Sequence, residues 1–222
     1  MNRKLIITED GSHTISLPEQ QVTYHSVHGA IQESMHVFIK TGLHYIIVQH
    51  KPGSINVFEM GFGTGLNAFL TAIEADSREI RINYTCIDNT PLTAAETAEL
   101  NYPVLIGHKQ LFRNIHAAPW EQITSISSFF TILKLEKAIE TYEPIGSFDL
   151  IYFDAFDPAV QPSLWTEKIF AKMYHLLVPG GTLVTYSSKG EVRRSLKAVG
   201  FNVSKLPGPP GKREITRAVR IV

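Results

Sequence analysis

Val57-Phe-Glu-Met-Gly-Phe-Gly-Thr-Gly-Leu-Asn-Ala-Phe-Leu70 is a β-rich run that ends in a glycine turn and opens directly into an amphipathic helix. Ile55 to Met60 is short and apolar, as a strand buried on both faces is, and Leu66, Phe69, Leu70 and Ile73 recur at helical spacing. Gly61, Gly63 and Gly65 therefore sit at a strand-to-helix corner. There they permit backbone angles closed to other residues and let a ligand approach the main chain. A nucleotide suits such a corner, and the spacing narrows which one. A dinucleotide fingerprint reads Gly-x-Gly-x-x-Gly, but here the third glycine comes one residue early and Leu66 stands where the last belongs. A phosphate-cradling loop needs Gly-Lys-Ser/Thr, which is absent. A plain tight turn without a ligand is the bland alternative.

What remains is an acidic residue, Glu59, followed by Gly-x-Gly-x-Gly, which resembles motif I of the Rossmann-like methyltransferases that bind S-adenosylmethionine. That resemblance implies that Glu59, Gly61, Gly63 and Gly65 surround the amino-acid half of the cofactor. Ile80 to Ile87 reads as the next strand and ends in Asp88, at the distance past the glycine turn where a carboxylate accepts hydrogen bonds from ribose hydroxyls. Dinucleotide and S-adenosylmethionine folds share that role. The alternative for Asp88 is a favourable charge ahead of a helix over Pro91 to Leu100. Phe129 to Leu135 is apolar enough for a third strand. Glu136 follows it at the carboxyl edge, as an acceptor for the adenine edge or as an ordinary solvated acid.

With 222 residues, 44% of them apolar and 19% charged, the chain has the composition of one soluble globular domain. No run reaches the length of a membrane span, and Met-Asn-Arg-Lys-Leu-Ile-Ile-Thr-Glu lacks the apolar segment of a signal peptide, so a cytoplasmic protein without membrane contact is expected. The single cysteine, Cys86, excludes an intrachain disulfide and reads as a buried strand thiol. Net charge is zero, yet from Lys189 onward nine basic residues face two acidic ones. Such an excess fits either a solvated helix face or a surface for phosphates.

Along the chain, Leu5 to Thr8 and Thr14 to Leu17 flank Glu-Asp-Gly-Ser as a β-hairpin. His25, His28, Glu33 and His36 follow at spacings that match no zinc signature, so no metal site is expected. Pro103 to Ser128 reads as an irregular insertion or short helices. Ser147 to Pro158 is the fourth strand with its exit loop, which carries Asp154 and Asp157. Leu164, Trp165, Ile169, Phe170, Met173 and Leu177 form an apolar stripe that predicts one helix from Pro162 to Leu177, stopped by Val178-Pro-Gly-Gly181. Thr182 to Ser187 is a strand, Val192 to Val199 a helix closed by Gly200, and Phe201 to Lys205 and Ile215 to Ile221 a closing strand pair. The fold class is α/β with helices on both faces of the sheet. We delimit residues 1–50 as an N-terminal hairpin and substrate-side extension, and 51–222 as the main domain.

Glu59 to Asn67, Pro91-Leu-Thr93, Phe153-Asp-Ala-Phe-Asp-Pro-Ala159 with Pro162 and Trp165, Pro179-Gly-Gly-Thr182 and Gly211-Lys-Arg-Glu214 together resemble the methyltransferase domain of the MnmC family. The Asp-Gly-Ser-His hairpin and His28 to Ser34 resemble its stand-alone members, called MnmD. The resemblance implies a class I S-adenosylmethionine-dependent methyltransferase sheet with antiparallel C-terminal edge strands. It implies methylation of the amine of 5-aminomethyl-2-thiouridine at the tRNA wobble position, with tRNA as partner. Members with two activities carry a flavin domain after this one; the chain ends at Val222 without a second glycine fingerprint, so a methyltransferase alone is expected.

The resemblance places the catalytic aspartate at Asp154. A carboxylate there orients the amine, accepts its proton and stabilises the charge that develops on nitrogen. Where the family's loop has a glycine and then an apolar residue, this chain has Ala155 and Asp157, so two carboxylates share the exit loop. Phe156, Trp165 and Tyr24 are candidates to stack on a base taken out of its stack, with core packing the stronger reading for Trp165. Glu33 is a candidate contact to the aminomethyl group or cofactor, and Lys189, Arg193, Lys212 and Arg213 are candidates for tRNA phosphates. The rival readings are a methyl- or aminopropyl-transferase for a small amine, a non-catalytic S-adenosylmethionine-binding module, and a nicotinamide-dependent dehydrogenase.

Overall fold

Alternation along four buried parallel strands decides the architecture. In the computed structural model, which describes residues 2–50, 53–143 and 145–221, strands β4 (Ser54–Met60), β5 (Arg81–Asp88), β7 (Phe130–Glu136) and β8 (Phe148–Phe153) run parallel. Val57, Tyr84, Leu150 and Tyr152 point into one apolar cluster, and Phe58, Ile151 and Phe153 into another on the opposite face. Helix α3 (Leu66–Arg78) fills the first layer with Phe69 and Ala72. Helices α7 (Glu167–Leu176) and α8 (Gly190–Ala198) fill the second with Phe170, Met173 and Leu196.

The eight-stranded sheet has the order β10-β11-β9-β8-β4-β5-β7-β6, where β6 is Ile123–Ser125, β9 Leu177–Thr185, β10 Phe201–Pro207 and β11 Glu214–Arg220. After β4 the chain moves outward through β5, then returns to place β8 on the other side of β4. This reversal opens a crevice above the carboxyl ends of β4 and β8, where open α/β sheets bind their ligands. As expected, β10 and β11 form an antiparallel edge.

The N-terminal strands β1 (Lys4–Ile7) and β2 (His13–Leu17) pair as expected, and a short β3 (Val22–Thr23) extends them into a separate three-stranded sheet. Residues after it turn helical: α1 (Ala30–Ser34), a wider π-helical segment Met35–Leu43, and α2 (His44–His50). Val37, Phe38, Ile39, Leu43 and Ile46 pack into the same core as α3. Gly42 lets the π-helical segment lie against the sheet, since a Cβ there would stand 3.0 Å from Val184. The boundary drawn between residues 50 and 51 falls at Lys51 and Pro52, outside the described residues.

Three expected elements differ from the sequence reading. The stripe from Pro162 to Leu177 is not one helix: a 3-10 turn (Pro162–Trp165) is followed by extended Thr166, whose hydroxyl caps α7 by accepting from the Ile169 N–H. Trp165 is the cause, because its Nε1 donates to the Phe156 carbonyl at 2.7 Å and ties the turn to the exit loop. Val178-Pro-Gly-Gly181 lies inside β9, where the pairing with β8 shifts register between Phe148 and Leu150. The helix expected over Pro91 to Leu100 is trimmed to α4 (Ala94–Ala98) by a Thr93/Glu96 capping box. The stretch Pro103 to Ser128 forms the end of α5 (Tyr102–Leu105), then α6 (Lys109–Ala117) and β6.

Candidate active site

The glycine corner ties three strand ends together. Gly61, with φ of +91°, donates its N–H to the Ile87 carbonyl, and the Asp154 N–H donates to the Met60 carbonyl, both at 3.0 Å. A Cβ on Gly61 would stand 2.8 Å from the Asp154 carbonyl oxygen, so only glycine permits this approach. The Gly63 N–H donates to Asp88 Oδ2 and the Thr90 N–H to Asp88 Oδ1, each at 2.9 Å. Each oxygen keeps a further lone pair free for a ligand hydroxyl. Gly65, at φ of +70°, starts α3 but lies behind the loop, packed on His116 and Phe62.

Above this corner is a cavity of about 720 Å³, walled by Gly61, Gly63, Asp88, Asp154, Tyr24 and Phe156 among others. That volume suits a drug-sized or nucleoside ligand. Asp154 is partly exposed to it, and burial, aided by the nearby charge of Glu33, pushes its carboxyl up to about 8. Asn67 opposes that shift: its Nδ2 donates to Asp154 Oδ2 and to Glu59 Oε1, both at 2.9 Å. Glu59 shares its strand parity with Val57, so it faces α3 and meets Asn67 in that helix's first turn. It is fully buried behind the cavity wall, and burial raises its carboxyl far above the usual range.

The exit loop after β8 is held rigid by side chains. The Phe156 N–H donates to Gln161 Oε1 at 3.1 Å, Trp165 Nε1 donates to the Phe156 carbonyl, and the Tyr186 hydroxyl donates to the Ala155 carbonyl at 2.8 Å. Tyr24 meets Phe156 edge-on at 4.9 Å, which leaves an aromatic border on the cavity. Trp165 itself is 6% exposed and packs on Phe153 and Phe170 in the core. Asp157 has a different task from Asp154. Burial pushes its carboxyl up, but Lys189 at 2.5 Å and the Ala159 N–H at 2.8 Å outweigh burial and hold it below the usual range.

Glu33, at the start of the helical segment, also lines the cavity; it accepts from the Ser26 N–H at 2.7 Å and pairs with Lys212. Lys212 thus turns into the cavity, partly exposed. Arg193 is paired with Glu214 at 3.3 Å, Lys189 is engaged at the rim, and Arg213 is exposed on the turn between β10 and β11. Glu136 is exposed outside the cavity, whose wall after β7 is built by Lys137 to Glu140. His25 bonds through Nε2 to Thr64 Oγ1 at 2.7 Å, and burial lowers its pKa to about 4, which keeps the ring neutral.

Sequence reasoning missed Asn67 and Tyr186. Asn67 stands within the glycine motif at the first helical turn, a position from which a side chain reaches back over the strand end. Tyr186 follows β9 and has no local signal of its own.

A family described as S-adenosyl-L-methionine-dependent methyltransferase matches residues 112–221. The tRNA 5-methylaminomethyl-2-thiouridine biosynthesis bifunctional protein MnmC of Ectopseudomonas mendocina is 32% identical over 205 residues, which are 86% of this chain and 31% of that protein. MnmC of Pseudomonas savastanoi pv. phaseolicola is 30% identical over 211 residues, 89% of this chain and 32% of the relative. The chain thus spans about a third of the length of these relatives. The crystal structure of MnmC2 from Aquifex aeolicus superposes with a TM-score of 0.79 at 25% identity, covering 98% of this chain and 70% of that one. Spermidine synthase from Thermotoga maritima shares the fold, with a TM-score of 0.57 at 14% identity over 98% of this chain and 68% of its own. The chain is thus similar to an S-adenosyl-L-methionine-dependent methyltransferase family over residues 112–221 and, over most of its own length, to about a third of MnmC.

Proposed function

We propose that this protein moves a methyl group from S-adenosylmethionine to the amine of 5-aminomethyl-2-thiouridine at the tRNA wobble position, in the cytoplasm. The observation that carries the reading is Asp154, a carboxyl raised to about 8 that faces an aromatic-bordered cavity beside the glycine corner. The relatives' names supply the nucleoside. In this reading residues 1–50 form a substrate-side extension of a methyltransferase unit over 51–222.

The donor set fits the cofactor: Gly63, where a Cβ would stand 3.0 Å from the Tyr24 ring on the cavity wall, and an Asp88 carboxylate with lone pairs left for ribose hydroxyls. When bound, S-adenosylmethionine supplies an electrophilic methyl on a positively charged sulfur. The chain's own residues supply the rest. Tyr24 and Phe156 would hold the extruded base by its faces, and the pinned exit loop would orient its amine toward the cofactor side of the cavity. Before transfer, Asp154 would take one proton from the acceptor nitrogen and so free the lone pair that receives the methyl group. A carboxyl near 8 is matched to an amine better than an ordinary aspartate is, and positive charge entering the cavity favours its ionised form. Asn67 keeps one oxygen of Asp154 engaged, which fixes the direction of the other.

The test is transfer of labelled methyl from S-adenosylmethionine to tRNA from cells that lack this protein, followed by nucleoside analysis. Label in methylaminomethyl-thiouridine supports the reading. Cofactor binding with label in no tRNA nucleoside overturns it in favour of a small-amine acceptor or a non-catalytic module.

A further inference from the structure

Lys212 departs from the usual outward habit of lysine. It stands in the turn between β10 and β11, and its ammonium turns into the cavity against the Glu33 carboxylate, 4.1 Å from the centre of the Tyr186 ring. The Glu33 side chain is 7% exposed, and a carboxylate so enclosed is costly without a cation beside it. The face of Tyr186 adds cation–π attraction. Together they make a subsite for an ammonium group, and it opens into the same cavity as Asp154, whose carboxyl senses the charges of both Glu33 and Lys212.

We propose that Lys212 is a tethered stand-in for the acceptor: Glu33 and Tyr186 form the subsite that recognises the protonated aminomethyl group, and Lys212 occupies it until the acceptor displaces it. This rests on the function proposed above. The backbone of the turn need not move. The Lys212 N–H donates to the Pro209 carbonyl at 2.9 Å and the Gly208 N–H to the Arg213 carbonyl at 3.1 Å, so the turn is closed on itself. The Lys212 side chain is 29% exposed and flexible, which gives it a path to solvent.

The arrangement has two consequences. Glu33 stays neutralised in the empty protein, and a base without an amine cannot dislodge the lysine. Selectivity then comes from competition against an internal rival as well as from attraction. Its cost is apparent affinity, which falls by the fraction of time that the subsite is free. A lysine that anchors a tRNA phosphate would instead face outward and bind every tRNA alike.

The experiment measures binding of two tRNAs, one carrying the 5-aminomethyl group and one an unmodified transcript, to the cofactor-free protein over a range of salt. The parent, K212M, K212Q and E33Q are compared after their thermal transitions are checked. Either neutral substitution of Lys212 is expected to raise the preference for the aminomethylated tRNA about tenfold, by freeing the subsite. Binding of the unmodified transcript and its salt dependence should stay as in the parent, and E33Q should lose the preference. Weakening of both tRNAs equally, with the salt slope reduced by ~0.7–0.9, would make Lys212 a phosphate anchor and overturn the inference. An unmoved preference in a parent that methylates tRNA overturns the stand-in alone, whereas a parent that methylates no tRNA overturns the function on which it rests.

Discussion

Asp154 and Asp157 lie three residues apart on one loop, and their surroundings push them in opposite directions. Asp154 is enclosed beside Glu33 and raised to about 8, while Asp157 is held low by Lys189 and a backbone N–H. For Asp154 the folded pKa lies above the ordinary 3.8, so between about 4 and 8 the folded state binds more protons than the unfolded state. Stability from this group is full at low pH and falls as pH rises through 8. Asp154→Asn removes that loss. Its melting temperature should exceed the parent's at pH 9, by ~2–4 °C for each kcal/mol recovered, and the difference should vanish near pH 4. A parent-like melting curve across that range would contradict the raised carboxyl.

Single residues also mark where sequence reading stops. Asp88, Gly61, Gly63, Tyr24, Glu33, Phe156 and Asp157 line the cavity together with Asp154. Glu59 and Gly65 stand behind it, because strand parity turns Glu59 toward α3 and helix packing claims Gly65. Lys212 is a clear case of information absent from composition: a basic residue in a basic tail looks like its neighbours until the turn that carries it is folded against Glu33.

At the scale of elements, the strand–glycine–helix unit is legible because a short apolar run gives way to helical spacing within a few residues. The break at Thr166 is not, since the stripe from Leu164 to Leu177 keeps helical spacing while a tertiary hydrogen bond from Trp165 bends the chain. The N-terminal sheet has a role that its sequence does not announce. Arg3 donates to the carbonyls of Thr90 at 2.6 Å and Pro91 at 3.2 Å and pairs with Glu96, clamping the loop that follows Asp88. The hairpin is fixed further by Tyr102, whose hydroxyl donates to the His13 carbonyl at 2.7 Å. Arg3→Ala should destabilise the protein by ~1.5–3 kcal/mol, the range for hydrogen bonds to charged groups. It should also raise the Kd for S-adenosylmethionine several-fold in calorimetry, and an unchanged Kd would separate the clamp from Asp88.

At the scale of the molecule, zero net charge conceals an asymmetry. Basic residues crowd the last strands and α8, yet several are spent internally: Arg193 and Lys205 on Glu214, Lys189 on Asp157, Lys212 on Glu33. Of the four candidates for phosphate contact, Arg213 is exposed; Arg194 and Lys197, not among those four, are exposed as well. Arg213→Ala should weaken tRNA binding irrespective of the wobble modification, with the salt slope shallower by ~0.7–0.9 if it neutralises one phosphate. Equal salt slopes for variant and parent would move the tRNA backbone to another face. No helix among the described residues is long and apolar enough to cross a membrane.

The central claim is that Asp154 takes a proton from the acceptor amine before methyl transfer, and single-turnover transfer to aminomethylated tRNA by the parent and Asp154→Asn tests it most directly. S-adenosylmethionine binding is measured on both proteins alongside. The account predicts that the variant binds the cofactor like the parent while its rate falls ~10²–10⁴-fold, the range for loss of a positioned acid–base group. A variant that transfers methyl at the parent's rate would contradict it.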